Sequence, residues 1–86
     1  MYVADELYDI HFTMSLGSTP DNRERVGDIL EKVLDVDSYH IDEGASDIDV
    51  RIRVKDGSRP YRVYDALVRE LCKRLPRGIQ IKGAGV

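Results

Sequence analysis

Residues 47–54 read Asp-Ile-Asp-Val-Arg-Ile-Arg-Val, and this stretch decides the fold. Four β-branched apolar residues alternate with charged ones, which is the period of a strand with one buried and one solvent-facing side. Turn-forming residues lie on both sides, at 43–46 and 56–58. The stretch therefore predicts a strand in a sheet that is covered on one face only.

A second alternation lies upstream, where apolar side chains recur at every second position from Tyr8 to Leu16. It predicts another half-buried strand. After a break at 17–19, Thr19 can cap a helix and Pro20 suits its first position. The apolar residues of this predicted helix recur at helical spacing and form one stripe. They are Val26, Ile29, Leu30, Val33 and Leu34.

The downstream part supplies a second helix, which Pro60 begins and Pro76 ends. Two short segments complete the pattern, a brief alternation at 39–41 and a final strand at 78–82. The predicted order is therefore β-α-β-β-α-β. The apolar stripe of the second helix consists of Tyr64, Leu67, Val68, Leu71, Cys72 and Leu75.

With right-handed crossovers, this order predicts one α+β domain over residues 1–86, a ferredoxin-like two-layer sandwich. An antiparallel four-stranded sheet would carry both helices on one face, with the first and third strands central and the second and fourth at the edges. The opposite face would be open. Its predicted residues are Asp9, His11, Thr13, Ser15, His40, Asp42, Asp49, Arg51, Arg53, Gln80 and Lys82.

Acidic and basic residues are segregated along the chain. Residues 1–50 carry thirteen acidic and three basic side chains, a balance of -10, whereas residues 51–86 carry ten basic and three acidic ones, a balance of +7. The net charge of -3 therefore conceals two opposite fields. Such asymmetry favours association steered by charge, with a partner or with a second copy of the chain.

The composition also bounds the location of the protein. No apolar run approaches the roughly 20 residues of a membrane span. The segment Met1 to Glu6 has neither the basic region nor the apolar run of a signal peptide. Cys72 is the sole cysteine, and its place on an apolar stripe predicts a buried, unreactive thiol. We therefore expect a cytoplasmic protein that does not associate with membranes.

The residues give no catalytic or metal-binding pattern. His11 and His40 fall on strands that the third strand separates, and no HxxxH, CxxC or HExxH spacing occurs. We therefore expect no enzyme activity, metal or cofactor. The central strands also lack aromatic residues on the open face, which RNA-recognition sheets use for stacking. Cross-strand pairing of charges explains this face, while His11, Arg51 and Arg53 remain a possible open-face site.

The stretch Arg25-Val26-Gly27-Asp28-Ile29-Leu30, with the following residues 37–41, is similar to the loop-helix-strand part of ACT-type regulatory domains. The resemblance implies a small effector bound at a dimer interface. Gly27 falls inside the predicted helix here, whereas in that family the glycine lies at the helix entrance. A small residue that permits close helix contact is the alternative interpretation.

The second helix carries the basic field. We predict that a protein partner, or a second copy in a homodimer, binds along this helix and the fourth strand, where an unprotected edge offers backbone groups for pairing. Nucleic acid is an alternative partner for the same cations. The sequence leaves open whether the acidic first helix neutralises some of them. The predicted binding residues are Arg62, Arg69, Lys73, Arg77, Gln80 and Lys82.

Overall fold

The computed structural model describes residues 8–85, so the segment Met1 to Glu6 lies outside the described residues. The strands and helices follow one another in the predicted β-α-β-β-α-β order. The elements are β1 (Ile10–Gly17), α1 (Pro20–Glu31), β2 (Val36–Ile41), β3 (Asp47–Val54), α2 (Pro60–Arg74) and β4 (Ile81–Gly85).

The four strands form one antiparallel sheet in the order β2-β3-β1-β4. The two long alternating strands, β1 and β3, are therefore central, and β2 and β4 form the edges. Phe12 of β1 lies opposite Val50 of β3 on one side and Gly83 of β4 on the other. This α+β arrangement gives the sheet one apolar face and one polar face.

The core lies between the apolar face of the sheet and the two helices. Phe12 is completely buried, and its ring contacts the Tyr64 ring edge-on with centroids 5.8 Å apart. The predicted alternation of both central strands is confirmed, because every second side chain is buried. The buried residues are Ile10, Phe12, Met14, Val26, Ile29, Leu30, Ile48, Val50, Ile52, Val54, Val63, Leu67, Leu71 and Leu75.

The start of α1 is as predicted, but its end is earlier. The Thr19 hydroxyl accepts a hydrogen bond from the Asn22 amide at 3.2 Å, and Pro20 follows the cap. The helix ends at Glu31, so the assignment of Leu34 to its apolar stripe is wrong. Leu34 lies in the connection to β2 and is 84% exposed. Val33 also follows the helix, but its side chain still packs against the core.

The stripe of α2 is centred differently from the prediction. Val63, Leu67 and Leu71, spaced by four residues, are its buried seam, and Val63 was not predicted. Cys72 is exposed, so the expected buried thiol is wrong. The row of Tyr64, Val68 and Cys72 lies on the flank of the seam, and its burial decreases towards the end of the helix.

Strand β4 begins later than predicted, at Ile81 rather than at residue 78. Gly78 has a φ of 92°, a turn conformation that suits glycine and delays the extended segment. Gly83, expected outside the strand, pairs within it. A Cβ on Gly83 would lie 3.2 Å from the Tyr64 hydroxyl. The glycine therefore lets α2 lie close beneath β4.

Tyr39 joins the edge strand β2 to α1. Its hydroxyl donates a 2.6 Å hydrogen bond to a carboxylate oxygen of Glu31 and lies against Gly27, where a Cβ would be only 3.0 Å away. Burial, the hydrogen bond and the charges of Glu31 and Asp28 raise the pKa of Tyr39 to about 12. The structure thus gives Gly27 a packing role inside α1.

This shift predicts a loss of stability in strongly alkaline solution. Because the pKa of Tyr39 is higher in the folded chain, the unfolded chain ionises first, and the stabilisation is lost as the pH rises from about 10 to about 12. We expect the urea midpoint to fall more steeply over this range in the wild type than in Tyr39→Phe. An equal fall of the urea midpoint with pH in the two proteins would contradict the raised pKa of Tyr39.

Candidate partner-binding surface

The open face of the sheet holds a charged cluster on its two central strands. The Nε2 atom of His11 lies 2.5 Å from a carboxylate oxygen of Asp49, and the other oxygen lies 3.8 Å from the Arg51 guanidinium. Only 13% of the Asp49 side chain is exposed. The His11–Asp49 hydrogen bond is a cross-strand contact that links β1 to β3, whereas the Asp49–Arg51 ion pair lies within β3.

The second histidine stays apart from this cluster. His11 and His40 both lie opposite Arg51, one on each side of β3, so a complete strand separates the two imidazoles. Arg53, the third member of the predicted open-face site, is exposed and lies two residues beyond Arg51 on β3, opposite Ser38. Within residues 8–85, no three His, Cys, Asp or Glu side chains are grouped so that they could hold a metal ion.

Two cations of helix α2, Lys73 and Arg74, contact an acidic side chain of the same helix. Glu70 accepts a 3.1 Å hydrogen bond from Arg74 and lies 3.7 Å from the Lys73 ammonium. The hydrogen bond from Arg74, with the charge of Lys73, holds the pKa of Glu70 below its usual range. These contacts are exposed and contribute little to stability. They do, however, offset part of the positive charge at this end of α2.

The other predicted cations of this region make no such contact. Arg62, Arg69 and Arg77 are exposed, and no side-chain hydrogen bond or ion pair joins them to another residue in the described part of the chain. The sequence left open whether the acidic helix α1 pairs with some of them. No ion pair between the two helices occurs among residues 8–85.

A basic cleft, defined by Lys32, Arg69, Lys73 and the aliphatic side chain of Val33, lies between the end of α1 and the middle of α2. The helix α1 thus contributes a further cation at this place. Glu70, which contacts Lys73, also lines the cleft and offsets part of its positive charge. Cys72 also lines the cleft. The cleft is a shallow, positively charged surface that remains accessible to an acidic partner.

An apolar pocket adjoins the basic cleft at Cys72, which lines both. The pocket has a volume of about 220 Å³ and lies between the end of α2 and the beginning of β4. Its walls are aliphatic, and Arg77 stands beside it. The aliphatic side chains are Leu71, Leu75, Ile79 and Ile81.

Strand β4 borders the pocket with a free edge. Its inner edge pairs with β1, and its outer edge pairs with no other strand in the described part of the chain. Gln80 and Lys82 lie on the open face, beside Thr13 and Ser15. The backbone of Gln80 is fixed there by two hydrogen bonds with Ser15. The Gln80 amide donates to the Ser15 hydroxyl at 2.7 Å, and the Ser15 amide donates to the Gln80 carbonyl at 2.9 Å.

The predicted binding residues therefore surround one edge of the sheet without forming one continuous patch. Arg69, Lys73 and Arg77 lie on the helix side, whereas Gln80 and Lys82 lie on the open face. Arg62 lies in the first turn of α2. Sequence reasoning missed the apolar pocket. The clue was that Cys72 follows the seam residue Leu71 directly and so points away from the centre of the stripe.

Comparisons with protein-family models, curated proteins and solved structures found no match for this chain. In the described part, neither helix combines the length and the apolar character needed to cross a membrane.

Proposed function

We propose that this chain is an interaction module that acts by binding an acidic protein surface rather than by catalysis. The proposal rests on one juxtaposition: the basic cleft, the apolar pocket and the free edge of β4 adjoin one another along α2. Cations steer an acidic partner, and the apolar pocket and backbone edge supply contacts of short range. The acidic surface that binds there belongs to a different protein or to a second copy of the chain.

The order β2-β3-β1-β4, together with the β-α-β-β-α-β succession, supports a ferredoxin-like classification of the fold. This classification accounts for the position of the proposed surface. The crossover through α2 brings the fourth strand to the edge beside that helix. Most of the binding surface is thus formed by the second half of the chain, which carries its positive balance, and Lys32 and Val33 of the first half complete the basic cleft.

Nucleic acid is the second candidate for the exposed cations Arg62, Arg69 and Arg77. A protein partner is favoured over nucleic acid for two reasons. An aliphatic pocket adjoins the cations, and Lys73 and Arg74 already contact the carboxylate of Glu70. A small effector is less favoured, since a volume of about 220 Å³ is below the roughly 300 to 1,000 Å³ that is usual for such ligands.

The test is quantitative capture from cell extract with three forms of the protein. Arg69→Glu with Lys73→Glu reverses two cations of the basic cleft. Arg25→Glu with Lys55→Glu makes the same change in net charge at exposed positions outside it. At low salt we expect the first variant to lose a captured partner at least about tenfold, and the control to retain it.

Nuclease treatment of the extract, with capture at low salt, separates a protein partner from a nucleic acid. Capture that survives nuclease and depends on the two reversed cations supports a protein partner. Equal capture by all three forms, or capture that disappears with nuclease, would contradict the proposal.

A further inference from the structure

We infer that the partner contributes an extended segment that adds to the sheet as a fifth strand beside β4, with apolar side chains alternating with acidic ones. This inference rests on the proposed function and specifies how the partner is held. Three observations carry it: the free edge of β4, the pocket beneath that edge, and the charges on both sides of it.

The backbone of β4 supplies the first requirement. A strand with one free edge offers alternate N–H and C=O groups to an extended chain, and such addition is a recurring mode of peptide recognition. Lys82 is the only charged side chain within β4. Tyr64 lies beneath Gly83, so α2 supports β4 from the helix side.

The pocket supplies the second requirement, which is specificity for an apolar side chain. In an added strand, every second side chain points to the helix face of the sheet. The pocket lies on that face, below Ile79 and Ile81, and its volume of about 220 Å³ suits one or two side chains rather than a larger ligand. Its aliphatic walls accept an apolar group.

The charges supply the third requirement and select the occupant. The intervening side chains of the added strand would point to the open face, where Lys82 lies beside Thr13, with Asp47 in the same groove. A carboxylate there suits Lys82. Arg77 lines the pocket on the helix side, before β4 begins, and adds positive charge near the apolar anchor. A symmetric dimer that paired β4 with β4 would instead bring these cations into the same interface as their own copies. Charge therefore favours an acidic segment over a symmetric second copy.

The probe is a blocked synthetic peptide of about eight residues in which glutamate alternates with leucine. Amide resonances of the isotope-labelled full chain report its binding. We expect the largest shifts at residues 79–83 and around Cys72. No shift at these residues, or shifts confined to α1 and β2, would overturn the inference.

Two modified probes test the strand pairing itself. In each, alternate backbone amides are N-methylated, and the two peptides carry the methyl groups on opposite sets of residues. Only one set can face β4 in an added strand. We expect one peptide to bind at least about tenfold more weakly and the other to bind like the parent. Equal binding by both, or equal loss in both, would overturn strand addition.

The pocket is tested by a matched pair of variants at an exposed position. Cys72→Trp fills the pocket, while Cys72→Ser removes only the thiol. We expect the first to weaken binding of the probe about tenfold and the second to leave it unchanged, with thermal unfolding confirming that both are folded. Equal binding by both variants would contradict the pocket as the anchor. The proposed function fails if capture is unaffected by the reversed cations or disappears with nuclease, whereas the strand addition fails on the peptide measurements, so the two failures are distinguishable.

Discussion

Phe12→Ala is expected to lower the free energy of unfolding by about 3 to 5 kcal/mol. Phe12 is completely buried at the centre of the sheet, between Val50 and Gly83, and its ring contacts that of Tyr64. The substitution removes apolar burial and leaves a cavity that the two flanking strands cannot easily close. Urea unfolding followed by circular dichroism measures the loss.

Thr13→Ala is the matched control for this prediction. Thr13 is the next residue of β1, but its side chain is on the open face and only half-buried. Its loss should be below about 1 kcal/mol, which is the range of strand propensity. Equal losses for Phe12→Ala and Thr13→Ala would mean that the facing of the central strand is wrong.

Leu67→Ala is expected to lower the free energy of unfolding by about 2 to 5 kcal/mol, whereas Leu34→Ala should change it by less than about 0.5 kcal/mol. The two substitutions delete the same atoms. Leu67 is completely buried in the seam of α2, and Leu34 is 84% exposed after the end of α1. The comparison therefore isolates burial from side-chain chemistry, and equal losses would contradict the observed end of α1.

The regular elements were predictable where one periodicity extended over a whole element. Ile48, Val50, Ile52 and Val54 form an unbroken alternation, and all four are buried on one face. Predictions failed where an element ended. The apolar spacing of α1 continued into Leu34, although the helix had already ended at Glu31, because a periodic pattern does not show which turn of the helix is the last.

The candidate site was predictable in its charge but not in its shape. The segregation of acidic and basic residues indicated α2, and Arg69, Lys73 and Arg77 do lie on that side of the fold. The apolar pocket depends on the distance between α2 and β4 near Cys72. That distance is set by tertiary packing, including the approach of Tyr64 to Gly83, and no local pattern specifies it.

Whether α1 neutralises α2 was not predictable from the sequence for a related reason. Adjacent helices of opposite net charge suggest ion pairs, but the end of α1 brings Lys32 towards Arg69 and Lys73. Which side chains meet depends on helix rotation and on where each helix ends. Lys73 contacts Glu70, which also lines the cleft, and the positive charge that remains on Lys32 and Arg69 underlies the proposed binding.

The most direct test of the central claim is an amide chemical-shift map of the isotope-labelled chain with its captured protein partner. We predict that the largest changes lie at residues 69–83, which include the exposed part of α2, the turn at Gly78 and the edge strand β4. Changes centred on His11, Arg51 and Arg53, with α2 and β4 unaffected, would contradict the account and assign binding to the open face of the sheet.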